Sequence, residues 1–284
     1  MEKIYFMHNR GNQYLYHFII LQLGSLYYIF NNLKLPTGKD TLGKCEFKKF
    51  NNPTEIEKEK EKIDNKNKKI KIYFDDPFLD FHKETFELLN KNIELIKKND
   101  IKEEYYFEEC YGISIVNNNL GDDLENILPF LRNLFLSNLK FNFNNKRIFI
   151  TRKNSENQHN GILKRCILNE NEFIEKILKK YNFDYIQLED YNFKEKIELF
   201  NTASVILSTH SGALTFSLFA NKESKIIEIL NKGTNGFPHS HYQNITNILK
   251  IDYFNYKNII EDNNGNFNIN INDFDNYLKT TINL

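Results

Sequence analysis

From Lys146 onward, short runs of β-branched and aromatic residues alternate with amphipathic stretches, separated by brief polar turns. Lys146 to Thr151 (KRIFIT) reads as a strand. Asn169 can cap a helix through Asn171 to Tyr181, whose first turn holds Glu170 and Glu172 where the helix dipole favours acids. The series continues with a strand over Tyr185 to Leu188, a helix over Lys194 to Thr202 and a strand over Ser204 to Ser208. A helix from Gly212 to Ala220, a strand over Lys225 to Leu230 and a helix over His241 to Leu249 complete it. Strands joined through helices run parallel, and the helices cover both faces of the sheet. The expected fold class is α/β, with a doubly wound parallel sheet over residues 136–284.

Residues 1–135 read as a second α/β part: a strand at Lys3 to Met7, a turn at His8 to Asn12, then the apolar stretch Tyr16 to Phe30 (YHFIILQLGSLYYIF). That stretch is shorter than the roughly 20 residues a bilayer span needs and carries His17, Gln22 and Ser25, so it is expected to be a buried helix. Around 48–71 Lys and Glu almost exclude apolar residues, as in a solvated insertion. Lys71 to Phe74 reads as a strand. Phe81 to Lys98 reads as one helix, with Phe86, Leu89, Ile93 and Ile96 on its apolar face, and Asp122 to Leu139 as another, interrupted by Pro129.

Charge narrows the partners. Lys and Arg together number 38, as do Asp and Glu, so no nucleic acid or anionic membrane surface is indicated. Cys45, Cys110 and Cys166 lack disulfide or zinc spacing, and Met1 to Tyr5 does not open a secretory signal, so a cytoplasmic location is expected. Asn244-Ile245-Thr246 matches a glycosylation acceptor, which means little in so Asn-rich a chain.

In a doubly wound sheet, ligands bind beyond the carboxyl ends of the strands. Two loops are selected. One follows KRIFIT and holds Arg152, Lys153 and Arg165; the other follows VILS and reads Thr209-His210-Ser211-Gly212-Ala213-Leu214. Free amides at a helix start suit phosphate oxygens, an arginine fork can hold two of them, and His210 can donate a hydrogen bond. Together they form a candidate diphosphate clamp. The bland alternative is a strand-end histidine with a structural hydrogen bond and surface arginines in a loop. No P-loop or dinucleotide fingerprint is present.

Over Leu131 to Phe254 the series FLRNLFL, KRIFITRK, KRCILNENEF, FKEKIELF, STHSGALTFSLFA, KIIEIL and HYQNITNILKIDYF resembles glycosyltransferase family 61 in order and spacing. GNQYLYHFII near the N-terminus resembles that family more loosely. The resemblance implies a GT-B-like fold of two Rossmann-like halves, with an acceptor side in 1–135 and a nucleotide-sugar side in 136–284. It also implies inverting transfer of a sugar from a nucleotide-diphosphate donor, taken as UDP-linked, to a hydroxyl of a glycan or glycoprotein, without a cofactor or obligatory metal. No Asp-x-Asp pair stands at an expected strand end.

Carried onto this chain, the resemblance gives Arg152 and Arg165 the diphosphate charge, and Asn169 the adjoining helix start. His210 and the backbone of Ser211 to Leu214 would hold phosphate or sugar oxygens, and Glu228 would contact the ribose or position the loop. The chain departs from the family pattern in reading His210-Ser211 for His-Gly and Glu195-Lys196 for Glu-Gln. Serine would either crowd close backbone approach or add a phosphate contact. An inverting transferase also needs a base for the acceptor hydroxyl; the candidates are His17 and Asp122, with Asp123 beside it. His17 packing in its helix and Asp122 capping the next helix are the structural alternatives. A non-catalytic carbohydrate- or nucleotide-binding protein that keeps the fold is the competing function.

Overall fold

Local alternation and turn chemistry set the elements, and burial then sorts their faces. The computed structural model describes residues 3–7, 17–31, 70–74, 79–89, 93–97, 109–113, 124–137, 139–153, 165–230 and 241–282. It divides into two compact units, Met1–Asp123 and Leu124–Leu284.

The first unit holds β1 (Lys3–Met7), a π-type turn His17–Gln22 and a 3₁₀ turn Leu23–Ser25 leading into α1 (Leu26–Phe30), then β2 (Ile70–Phe74), α2 (Asp80–Leu89), β3 (Ile93–Lys97) and β4 (Glu109–Ile113). Its four strands are all parallel, in the order β3-β2-β1-β4. The apolar stretch is buried through Phe18, Ile19, Ile20, Leu23 and Leu26. Phe18 packs edge-on against Phe81, His82 and Phe86 of α2.

The single helix expected over Phe81 to Lys98 is instead α2 followed by β3. Ile93 and Ile96 fit the helical spacing of Phe86 and Leu89, but Asn90-Lys91-Asn92 supplies turn formers between them, and Ile93-Glu94-Leu95 alternates as a half-buried strand does. The expected turn at 8–12, the Lys/Glu stretch up to residue 69, Cys45, Asp122 and Asp123 lie outside the described residues.

The second unit begins with α3 (Leu124–Leu136), which includes Pro129. The sequence division after residue 135 places this helix in the first part. Its packing explains why the structural division precedes it: Phe135 meets Phe193 and Phe219, and Arg132 donates to the Leu218 carbonyl at 2.7 Å. Next come β5 (Arg147–Ile150), α4 (Glu170–Phe173) continued by a π turn Ile174–Leu178, β6 (Phe183–Ile186), α5 (Phe193–Thr202), β7 (Val205–Thr209), a 3₁₀ helix Gly212–Phe219 and β8 (Lys225–Ile229). The chain continues through α6 (His241–Leu249), β9 (Asp252–Tyr256), a hairpin of β10 (Ile259–Glu261) and β11 (Phe267–Ile269), and α7 (Ile271–Ile282). The strand expected at Tyr185 to Leu188 lies two residues earlier, at Phe183–Ile186, and ends before Leu188 because Leu188 already belongs to a 3₁₀ turn.

The expected parallel sheet is present, with five strands in the order β6-β5-β7-β8-β9. Both faces are buried. Phe149, Leu207, Ile227 and Ile229 share one core with Phe173, Ile177, Phe274 and Leu278. Residues alternating with them, Ile148, Ile150, Ile206 and Ile226, are buried on the other face. A second aromatic cluster of Phe193, Phe200, Phe216 and Phe219 joins Phe135. Truncating one of these rings to alanine removes about 3–5 kcal/mol of packing.

The order of this sheet decides where a ligand can sit. From β5 the chain moves outward to β6, then returns across β5 to place β7 on its other side and continues to β8 and β9. The direction of winding reverses between β5 and β7, the position at which sheets of this kind bind ligands beyond the carboxyl ends of their strands.

Candidate functional site

The loops at that reversal are the two selected from the sequence. Beyond β5 the chain reads Thr151-Arg152-Lys153, and beyond β7 it reads His210-Ser211 before the 3₁₀ helix. The loop after β7 is anchored by its backbone, since His210 N–H donates to the Ile229 carbonyl at 3.1 Å. Arg152 donates through Nη1 to the His210 carbonyl oxygen at 3.4 Å, and Arg165 does the same at 3.3 Å. Two guanidinium groups thus converge on one neutral acceptor. Burial lowers the pKa of both; Arg165 lowers that of Arg152 further, while Tyr242 and Glu228 partly offset the effect on Arg165. Lys153 is exposed.

Further buried donors lie on the residues either side of His210 and on Arg165 itself. Thr209 Oγ1, Ser211 Oγ and Arg165 Nε are buried and have no hydrogen-bond partner among the described residues. An unsatisfied buried polar group costs about 1–3 kcal/mol, so a cluster of them suits a ligand rich in acceptors. Ser211 has φ −156° and ψ 159°, extended backbone open to any residue, so serine in place of glycine strains nothing here. Gly212 is exposed and Ala213 half-buried at the helix start, whereas Leu214 is fully buried with its N–H bonded to the Ser211 carbonyl at 3.0 Å. Gly212 and Ala213 therefore carry the first-turn amides that the i→i−3 ladder leaves over.

Arg165 is positioned from far along the chain. It has φ 57°, an unusual left-handed conformation for a residue with a Cβ. The segment after it is held by the C-terminal hairpin: Cys166 N–H donates to Asn266 Oδ1 at 3.1 Å, Phe267 N–H to the Cys166 carbonyl at 3.0 Å, and Leu168 N–H to the Phe267 carbonyl at 2.8 Å. Asn169 stands at the start of α4 but makes no side-chain cap. Its carboxamide donates to the Ile269 carbonyl at 2.9 Å and accepts from Ile269 N–H at 3.0 Å, so it ties the segment to β11.

Glu228 is fully buried on β8, where His210 Nδ1 and the Tyr253 hydroxyl both hydrogen-bond its carboxylate. Of the two roles expected for it, positioning the loop is the one this geometry performs. The His210 ring also lies 5.2 Å from that of Tyr242 on α6. On the other side of Arg152, Glu170 is buried and accepts from Thr151 Oγ1 at 2.6 Å and from the Tyr185 hydroxyl at 3.0 Å. Burial pushes the Tyr185 phenol up to about 12, against an ordinary value of 10.0. Glu195 serves the start of α5, where it forms a reciprocal capping box with Asn192, and Lys196 lies in the same first turn.

The structure therefore brings together Arg152, Arg165, Thr209, His210, Ser211 and Glu228. His17 opens the π-type turn of the first unit. Tyr253, Tyr242, Glu170 and Asn266 complete the surroundings and escaped the sequence reading. Glu170 was visible there as a first-turn acid; nothing in the local sequence marks Tyr253 or Asn266. No group of three or more His, Cys, Asp or Glu side chains that could hold a metal converges among the described residues. Asp273 and Asp275 lie inside α7, where their carboxylates accept from Tyr256 and Asn258 and from Tyr181, Lys180 and Lys279. No described helix is long and apolar enough to cross a membrane.

Comparison with known proteins agrees with the arrangement. Protein O-linked-mannose beta-1,4-N-acetylglucosaminyltransferase 2 of Xenopus laevis is 26% identical over 105 residues, 36% of this chain and 18% of that protein. The mouse protein of the same name is 24% identical over 103 residues, 35% of this chain and 18% of its own length. The matched stretch is thus a minor part of each relative. A sequence profile described as Glycosyltransferase 61 matches residues 15–227, most of the chain and both arginine-bearing and histidine-bearing loops, and the chain belongs to that family.

Proposed function

We propose that the chain transfers a sugar from a nucleotide-diphosphate donor to a hydroxyl of a glycan or protein acceptor, with inversion at the anomeric carbon. The convergence of Arg152 and Arg165 on the His210 carbonyl carries this reading. A diphosphate bound there would accept charge-assisted hydrogen bonds from two partly buried guanidinium groups at once. The first-turn amides of Gly212 and Ala213 and the hydroxyls of Thr209 and Ser211 supply further donors.

In the reaction an acceptor oxygen attacks the anomeric carbon as the bond from that carbon to the diphosphate oxygen breaks. The electron pair leaves with the diphosphate, where Arg152 and Arg165 stabilise it. The acceptor proton passes to a base, for which His17 is the first candidate and Asp122 the second. A GT-B-like pairing of an acceptor-side and a donor-side half fits this division of labour. The relatives are named for N-acetylglucosamine transfer to protein-linked mannose, which makes UDP-N-acetylglucosamine the first donor to try.

Calorimetry with UDP and GDP, followed by assay of nucleotide diphosphate release from their sugars, tests the proposal. Binding and release support it. Absence of nucleotide binding removes the diphosphate site, and binding without turnover on any acceptor turns the reading to a non-catalytic binding protein.

A further inference from the structure

The backbone at Arg152 is held from both sides by Thr151. Thr151 N–H carries the sheet ladder one residue beyond β5, donating to the Ile186 carbonyl on β6 at 3.0 Å. The Thr151 hydroxyl accepts from Lys153 N–H at 3.0 Å, which closes a short turn with Arg152 in the middle. A hydroxyl has one proton, and here it goes to Glu170 Oε1 at 2.6 Å, leaving the oxygen's lone pairs to the turn. The other Glu170 oxygen accepts from the Tyr185 hydroxyl on β6 at 3.0 Å, so the carboxylate is itself fixed from two directions. Thr151 and Glu170 are buried, and water does not compete for these bonds.

Glu170 also opens α4, the helix that follows the Arg165 segment, so its bond to Thr151 ties the two arginine-bearing stretches together. A second tie runs between the same stretches, from the Cys166 thiol to the Arg152 carbonyl at 3.5 Å. The partners of the Glu170 carboxylate are two neutral hydroxyls, so what it supplies is geometry and not the neutralisation of an arginine. We infer that Glu170, acting through Thr151 and backed by Tyr185, is a positioning residue: it fixes the Arg152 turn against the Arg165 segment and so sets the spacing of the two guanidiniums that a diphosphate spans. This rests on the diphosphate reading above. A nucleoside diphosphate, which contacts both arginines, depends on that spacing, and a monophosphate that reaches one of them depends on it less. Glu170 thereby acts as a determinant of preference for nucleoside diphosphates over monophosphates.

Titration calorimetry of the full chain with UDP and with UMP tests this. Thr151→Val keeps the branched shape and loses the hydroxyl; Glu170→Gln keeps the size and loses acceptor capacity for one hydroxyl. Each is expected to weaken UDP about 10-fold and UMP by less, so that the preference for the diphosphate falls. Thr151→Ser keeps the hydroxyl and retains the wild-type preference. In an Arg152→Ala background, Thr151→Val and Glu170→Gln should each change UDP affinity less than about 2-fold, because the group they aim is gone.

General loss of structure does not produce this pattern, since it weakens both nucleotides alike and adds to the effect of Arg152→Ala. Where Glu170→Gln does not fold, the Thr151 variants carry the test. An unchanged preference for UDP over UMP in Thr151→Val, or its full effect persisting without Arg152, overturns the inference and leaves the diphosphate site standing. No UDP binding by wild type overturns both.

Discussion

Arg152 and Arg165 donate to one and the same acceptor, the carbonyl oxygen of His210. In the proposed site each would contribute a charge-assisted contact to a bound diphosphate, worth about 1.5–3 kcal/mol. Arg152→Ala and Arg165→Ala are each expected to weaken UDP binding about 10- to 100-fold by calorimetry. The double variant should lose less than the sum, since both act on one ligand group. Unchanged affinity in a folded variant removes that arginine from the site.

Ser211 should separate stability from binding. Its hydroxyl is buried and unpaired, so Ser211→Ala is expected to raise the unfolding free energy by about 1 kcal/mol while lowering UDP affinity. Urea unfolding and calorimetry on the same preparation measure the two signs. Lower stability with unchanged affinity would mean the hydroxyl serves the fold alone.

The Tyr185 phenol should make the protein alkali-sensitive. Unfolded, it loses its proton near 10; folded, it keeps it to about 12. The contribution is therefore fully present below pH 10 and lost as pH rises through 12. Tyr253 and Tyr256 shift in the same direction. The urea midpoint is expected to fall between pH 10 and pH 12, and that of Tyr185→Phe to fall less. Equal declines would assign the effect to the other tyrosines.

Asn266 holds the backbone beside Arg165 through the Cys166 N–H. Asn266→Ala removes one hydrogen bond, about 1–3 kcal/mol when the partner stays buried, and frees the left-handed turn. Weaker UDP binding with a folded core, seen by calorimetry and circular dichroism, is the expected result. Wild-type affinity would show that Arg165 needs no such support.

His17 tests the catalytic proposal separately. As the base it acts on the acceptor, so His17→Ala should lower kcat at least 100-fold and leave UDP affinity nearly unchanged. A wild-type turnover rate would move the role to Asp122.

The second-unit sheet was legible because its strands are hydrophobic throughout and helices of opposite character separate them. KRIFIT, VILS and KIIEI could be placed within a residue or two, and the arginine and histidine loops followed from the edge on which parallel strands end. The helix proposed over Phe81 to Lys98 failed because Ile93 and Ile96 satisfy two periodicities at once. Strands β9 to β11 escaped amid Asp and Asn, although Ile271, Phe274, Leu278 and Ile282 do mark α7 by their spacing. Asn169 was legible as a helix start, but its partner lies 100 residues away and local sequence carries no sign of that. The same distance problem hid Tyr253, whose hydroxyl reaches Glu228 from the neighbouring strand.

The hairpin β10–β11 sets an order of events for the growing polypeptide. Arg152 and Arg165 leave the ribosome well before Asn266 and Ile269, the residues that seat the Arg165 segment. A nascent chain therefore carries both arginines before the residues that seat the Arg165 segment have been made. The proposed site would become complete only when β10 and β11 close over a segment translated about 100 residues before.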